Sequence, residues 1–124
     1  MTTGNRPLSP HLQVYRPQIT SIVSILHRIT GVTMAFGSIF FVYWIGAGAY
    51  GPEAFAAAKE LMTSWLGMAF LFCWTFAIYF HLCNGVRHLF WDMGMGFEKE
   101  QYSGSGKAVF IVSIALSIFT WLLV

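Results

Sequence analysis

Charge is scarce in this sequence. Only 10% of its 124 residues are Asp, Glu, Lys or Arg, against about 25% in an ordinary soluble domain, so the chain lacks the polar material to cover its surface in water. Cysteine is scarcer still. Cys73 and Cys83 are the only two, which excludes a disulfide scaffold, and their apolar surroundings mark them as buried small hydrophobes. Neither belongs to a C-x-x-C-H run, so covalent c-type haem attachment is excluded. There is no strict repeat and too much apolar bulk for collagen or a disordered chain. H-E-x-x-H, a Gly-rich phosphate loop and a nucleophile paired with its base are also missing. The net charge of +2 is too small to argue for nucleic acid. Met1–Pro17 has no apolar core and little Arg, so neither a signal peptide nor a transit peptide is expected there.

What is present is apolar material: 56% hydrophobic and 18% aromatic residues. This composition predicts an all-α membrane protein, a single membrane-anchor domain over 1–124. Three crossings of roughly 20 residues use about half of the chain, and the remainder is too small for a soluble catalytic domain. Any reaction must therefore take place in or beside the bilayer, with other subunits.

The first crossing is expected within 21–50. No charge occurs from Ile29 to Pro52, Thr20-Ser21 can cap the helix after the turn at Pro17, and Gly51-Pro52 ends it. Glu53 to Glu60 reads as a short helical lead-in. The second crossing is expected over 61–90, free of formal charge until Arg87. Met93 to Lys107 reads as a polar, Gly-rich loop, and the third crossing as 108–124, at the lower limit of length. Residues 1–20 form an N-terminal segment outside the membrane.

Three crossings put Arg6, Arg16, Arg28, Arg87, Lys99 and Lys107 on one side and Lys59 alone on the other. The positive-inside rule then orients the N-terminus to the cytoplasm, or to the matrix in an organelle. Gly31, Ala35, Ser38, Gly46, Gly48, Ser113 and Ser117 are small positions that let helices or a flat cofactor approach.

Ionisable residues inside a membrane are costly, and so point to function. Here they form two clusters, both at the basic ends of their helices. Ser24, His27 and Arg28 mark the first helix. Ser24 and Arg28 are one turn apart on a shared face bordered by His27. The second helix carries His81, Gly85, Arg87, His88 and Asp92. His81 and His88 share a face roughly 10 Å apart along the axis, too far to ligate one iron from opposite sides of a porphyrin.

A neutral imidazole is a good axial ligand for haem iron. Gly85 clears space one turn from His81, and the cations suit propionates, Arg87 included. Asp92 is placed to orient His88. By spacing, a second axial ligand is either His27 or a residue of another chain. Ser24 and Arg28 equally suit the carbonyl oxygens of a quinone. The competing reading is a purely structural anchor, with the histidines serving helix packing.

At these residues the chain resembles the cytochrome b subunits of succinate dehydrogenase, the large membrane anchors of respiratory complex II. The resemblance rests on Arg6-Pro7-Leu8-Ser9-Pro10-His11, on Ser24-x-x-His27-Arg28-x-Thr30-Gly31, and on His81-x-x-x-Gly85-Val86-Arg87-His88-Leu89-x-x-Asp92. With the order and spacing of the motifs, it covers nearly the whole chain.

It implies half of a heterodimeric, haem-binding helical bundle, completed by a second membrane-anchor subunit. A flavoprotein subunit and an iron–sulfur subunit dock on the inner face. One haem b is shared, with His81 as the axial ligand from this chain and the other ligand from the partner anchor. His27, Arg28 and His88 lie near the propionates, and Ser24 and Arg28 line the ubiquinone site. The opening motif is similar to the mitochondrial and alpha-proteobacterial branch, and the expected lack of a presequence favours a bacterial inner membrane. An anchor of a related dehydrogenase, such as fumarate reductase or a hydrogenase, is the alternative.

Overall fold

The computed structural model describes residues 16–124, all helix and connecting turns; the Arg6–His11 motif lies outside the described residues. Four helices follow in order: α1 (Ile19–Tyr50), α2 (Pro52–Thr63), α3 (Trp65–Asp92) and α4 (Lys99–Leu123). α1, α3 and α4 are each long and apolar enough to cross a membrane. They pack together as a three-helix bundle, and the shorter α2 lies against α1 and α3 at one end.

Local chemistry sets the helix ends. Gly51 takes φ 132°, a left-handed backbone that only glycine adopts without strain, and Pro52 opens α2 at a position where its missing N–H costs nothing. Ser64, in an extended conformation, caps α3 by accepting a hydrogen bond from the Gly67 N–H at 3.1 Å. The apolar run from Leu61 therefore does not enter one continuous helix. α2 continues to Thr63, and the chain turns at Ser64. Nor do Thr20 and Ser21 cap α1: both lie inside it, behind Gln18.

The largest departure from expectation is at α4. Of the segment 93–107, expected as a loop, only 93–98 is non-helical, turned by Gly94 and Gly96 at φ 79° and 83°. Lys99–Lys107 is helical and extends α4 by more than two turns below the apolar segment. Gly106 does not break the helix because tertiary packing overrides its weak propensity; Gly104 is exposed one half-turn before it. Gly106 is buried where α4 meets α1 and α3, so a Cβ there would come within 3.3 Å of Ile19, 3.6 Å of Val23 and 3.8 Å of Arg87.

The interior reverses that of a water-soluble protein. Among the described residues one apolar cluster is buried, Val23, Phe80 and Val109, flanked by Ile19, Leu26, Phe76, Cys83 and Phe110, with Ala47, Ala58 and Ala77 buried elsewhere. Thr30, Asn84, Arg87, Ser113 and Ser117 are buried as well. Large apolar side chains such as Ile39, Val42 and Ile111 face outward, a surface suited to lipid and not to water. Buried positions recur at Val23, Thr30 and Gly37 on α1, a seven-residue spacing that keeps one stripe against its neighbours.

Ser113 and Ser117 donate to carbonyls one turn back, so their hydroxyls are satisfied within the helix. At the far end, Tyr79 and Thr120 share a 2.7 Å hydrogen bond and the Trp121 indole N–H donates to Thr75. Small size matters most at Gly37, where the Trp74 indole lies directly on α1. Among the positions expected to give close approach, Ala35, Ser38 and Gly48 are exposed instead. Cys73, expected to be buried, is also exposed, and Cys83 is half-buried.

Candidate functional site

The two clusters meet. α1 and α3 run in opposite directions, so the start of one lies beside the end of the other. His27 stacks face to face on His81, with ring centroids 3.9 Å apart and planes 8° from parallel. His88 lies 5.3 Å from His27, tilted by 50°, and packs edge-on against Trp91.

The orientation of His81 is determined by α1. Its Nδ1 lies 3.1 Å from the His27 carbonyl oxygen and 3.2 Å from Thr30 Oγ1. The Thr30 hydroxyl itself donates to that carbonyl at 3.0 Å. A carbonyl only accepts, so Nδ1 carries the proton, and the hydroxyl oxygen is left to accept alongside it. Nε2 then keeps its lone pair and is the donor atom this imidazole offers.

Gly31 makes the contact possible. A Cβ there would stand 3.1 Å from His81 Cε1 and 3.7 Å from Nδ1, crowding the ring off the carbonyl. At Gly85, one turn along α3 from His81, a Cβ would meet nothing within 4 Å, which leaves open space on that face. His27 contributes another feature: its Nδ1 is buried without a hydrogen-bond partner among the described residues.

This geometry fits a metal macrocycle in part and limits it. His81 offers a neutral nitrogen oriented by a backbone carbonyl, as histidine ligands generally are. His27 cannot be the opposing ligand as it stands, because two imidazoles stacked at 3.9 Å leave no room for a macrocycle between them. Ser24 and Arg28 are exposed on α1, turned away from α3 and toward whatever covers this face.

Two sequence expectations do not hold. Arg87 is buried and faces α4 instead of the histidines. Its Nε donates to Ser105 Oγ at 2.9 Å, Nη2 to the Tyr102 carbonyl at 2.9 Å and Nη1 to Asn84 Oδ1 at 3.3 Å, with the guanidinium 4.1 Å over the Trp91 ring. The cause is the helical extension of α4, which brings Tyr102 and Ser105 alongside α3. Asp92 is exposed, and no hydrogen bond or ion pair among the described residues joins it to His88. Gly31 gives the close approach expected of it, whereas the parts played by Thr30 and Gly37 were not foreseen from the sequence. Thr30 stands in the matched pattern three residues after His27, a spacing that reaches the His27 carbonyl.

An apolar bundle of three membrane-length helices that gathers its histidines at one end of α1 and α3 defines a multi-pass membrane protein. The chain belongs to the family described as succinate dehydrogenase/fumarate reductase transmembrane subunit, whose profile matches residues 2–120. It is similar to the succinate dehydrogenase cytochrome b556 subunit of Paracoccus denitrificans, 44% identical over 94% of this chain and 90% of the relative. The corresponding subunit of Rickettsia typhi is 40% identical over 95% and 92%. The mitochondrial cytochrome b560 subunit of Bos taurus is 37% identical over 94% and 70%. Within the family the chain stands with the cytochrome b membrane anchors of succinate dehydrogenase, as its motifs indicated.

Proposed function

We propose that the chain is the cytochrome b anchor of a succinate:ubiquinone oxidoreductase, holding one haem b jointly with a second anchor and forming part of the ubiquinone reduction site. The observation that carries this is the hydrogen bond from His81 Nδ1–H to the His27 carbonyl, which leaves Nε2 as an oriented lone pair. The stacking of His27 on His81 supports an opposing ligand from the partner anchor. His27, His88 and Arg28 are assigned to the propionate region. When bound, the haem supplies a one-electron redox centre inside the membrane.

Ser24 and Arg28 hold the quinone head. A hydroxyl and a guanidinium donate to its carbonyl oxygens, stabilising the negative charge that develops there during reduction. Arg28 stays charged throughout, so the protons come from the aqueous side. Electrons arrive from succinate through the flavoprotein and iron–sulfur subunits. The charge bias of the chain supports a bacterial inner membrane with the N-terminus in the cytoplasm: Arg16, Arg28, Arg87, Lys99 and Lys107 sit at one end of the described bundle and Lys59 at the other.

Replacing Ser24 with Ala, or Arg28 with Leu, is expected to lower quinone reduction by about 100-fold, the loss typical of removing one oxyanion donor. Succinate oxidation by a soluble artificial acceptor should persist in the same preparation. Equal loss of both activities would trace the defect to assembly and remove these residues from the quinone site. Gly31→Ala provides a milder test of the haem assignment. The added methyl displaces the His81 ring by a few tenths of an ångström, so the b-type absorption band should shift or the midpoint potential change, at unaltered haem content. A spectrum and potential identical to wild type would show that this ring is not ligated.

A further inference from the structure

Arg87 is a buried cation for which this chain supplies no counter-charge. It is 6% exposed, and its hydrogen bonds go to a hydroxyl, a carbonyl and an amide, all neutral. The chain holds five acidic residues, Glu53, Glu60, Asp92, Glu98 and Glu100. All are among the described residues, and none forms an ion pair with Arg87. Removing an unpaired charge from water costs several kcal/mol, so an anion from outside the chain completes the site.

The surroundings of Arg87 indicate what kind of anion. Arg87 lines an open groove of about 630 Å³ between α3 and α4, on the bundle surface, within the size range of small-molecule sites. The basic end of the groove carries Arg87, Gln101 and Ser105, with Trp91 beside them. Away from that end its walls are Leu82 and Val86 of α3 and Ala108 and Val112 of α4. From Leu82 to Phe90 the groove runs about 12 Å along the helix axis. One end is cationic and hydrogen-bonding, at the level where a Trp marks a membrane interface; the rest is hydrocarbon. Amphiphiles with an anionic head and an apolar tail match both ends, whereas a carboxylate from a neighbouring helix would leave the apolar length unexplained.

We infer that the α3–α4 groove is a binding site for an anionic phospholipid of the leaflet on the basic side, its acyl chain lying between Val86 and Val112 and its phosphodiester completing the charge of Arg87. The inference uses neither the haem nor the quinone assignment: those rest on His81 and His88 of α3 and on Ser24, His27 and Arg28 of α1, none of which lines the groove. It also gives a purpose to the helical extension Lys99–Lys107, which builds the polar end of the groove.

The test uses the assembled membrane complex, purified in mild detergent, stripped of lipid by extended washing, and titrated with phosphatidylglycerol or phosphatidylcholine while its melting temperature is followed. Half of the stabilisation should need about tenfold less phosphatidylglycerol than phosphatidylcholine, the value of one charge-assisted hydrogen bond. Ala108→Trp, which fills the apolar part of the groove, should abolish the response, while Ile39→Trp on the outward face of α1 keeps it. Arg87→Gln should make the two lipids equivalent. The inference is overturned if the two lipids stabilise the wild type equally, or if inorganic phosphate alone reproduces the effect. It is also overturned if Ala108→Trp responds like wild type, or if carbodiimide couples the Arg87→Lys variant to a carboxylate of another subunit.

Discussion

His81→Ala is expected to remove the b-type absorption band from the purified complex, the largest single effect foreseen for this chain. On α3 it is the imidazole whose Nδ1–H is bonded to α1, which leaves Nε2 unprotonated. Nδ1–H is engaged by the His27 carbonyl and Thr30 Oγ1, so Nε2 is free to ligate. Truncation also opens a hole of imidazole size next to Gly31. Adding free imidazole to the variant should therefore restore part of the band, which a merely misfolded bundle would not permit. A reduced-minus-oxidised spectrum makes the comparison, and an unchanged band in His81→Ala would withdraw the ligand assignment. Thr30→Val keeps the shape and loses one of the two orienting contacts. It should weaken haem retention by about 10-fold, at the low end of the loss expected for an outer-shell partner.

The second large effect is expected at Gly37, far from the histidines. A Cβ built there would overlap three atoms of the Trp74 indole, a rigid ring packed near Phe41 whose buried N–H has no hydrogen-bond partner among the described residues. No rotation of a flexible tip relieves this, so Gly37→Ala must separate α1 from α3 in the outer half of the bundle. Overpacking of this kind costs about 3 kcal/mol. The purified complex should melt well below wild type, and its yield should fall. Combining Gly37→Ala with Trp74→Leu should recover most of the loss, because the two residues are in contact and their effects are not additive. A single variant as stable as wild type would contradict the packing described here.

These two residues differ in how far the sequence revealed them. His81 stood out because an imidazole inside a charge-free run is costly and invites a functional explanation. Its pairing with the His27 cluster followed from the basic ends of the two helices lying on one side. Gly37 did not stand out, since a glycine among many small residues carries no label for the ring that covers it. By charge alone Arg87 suits a propionate. Six residues after His81, however, it emerges about 120° around the helix, and α4 was there to receive it. That contact was invisible while 93–107 was read as a loop from its glycines and charges, a local preference that burial of Gly106 overrides.

The amino-acid sequence alone determined that this is a membrane protein with three crossings, which ends of the helices are basic, and the family, because composition, charge-free length and motif spacing are properties of the chain taken in order. Only the tertiary structure decided which atoms meet: the backbone carbonyl of His27 as the partner of His81, the stacked imidazoles that leave no space for a shared iron, Trp74 on Gly37, and Arg87 turned to α4. The reason is that helix facing in lipid is set by close packing and by satisfaction of buried polar groups between helices. These depend on distances of a few tenths of an ångström that no one-dimensional pattern encodes.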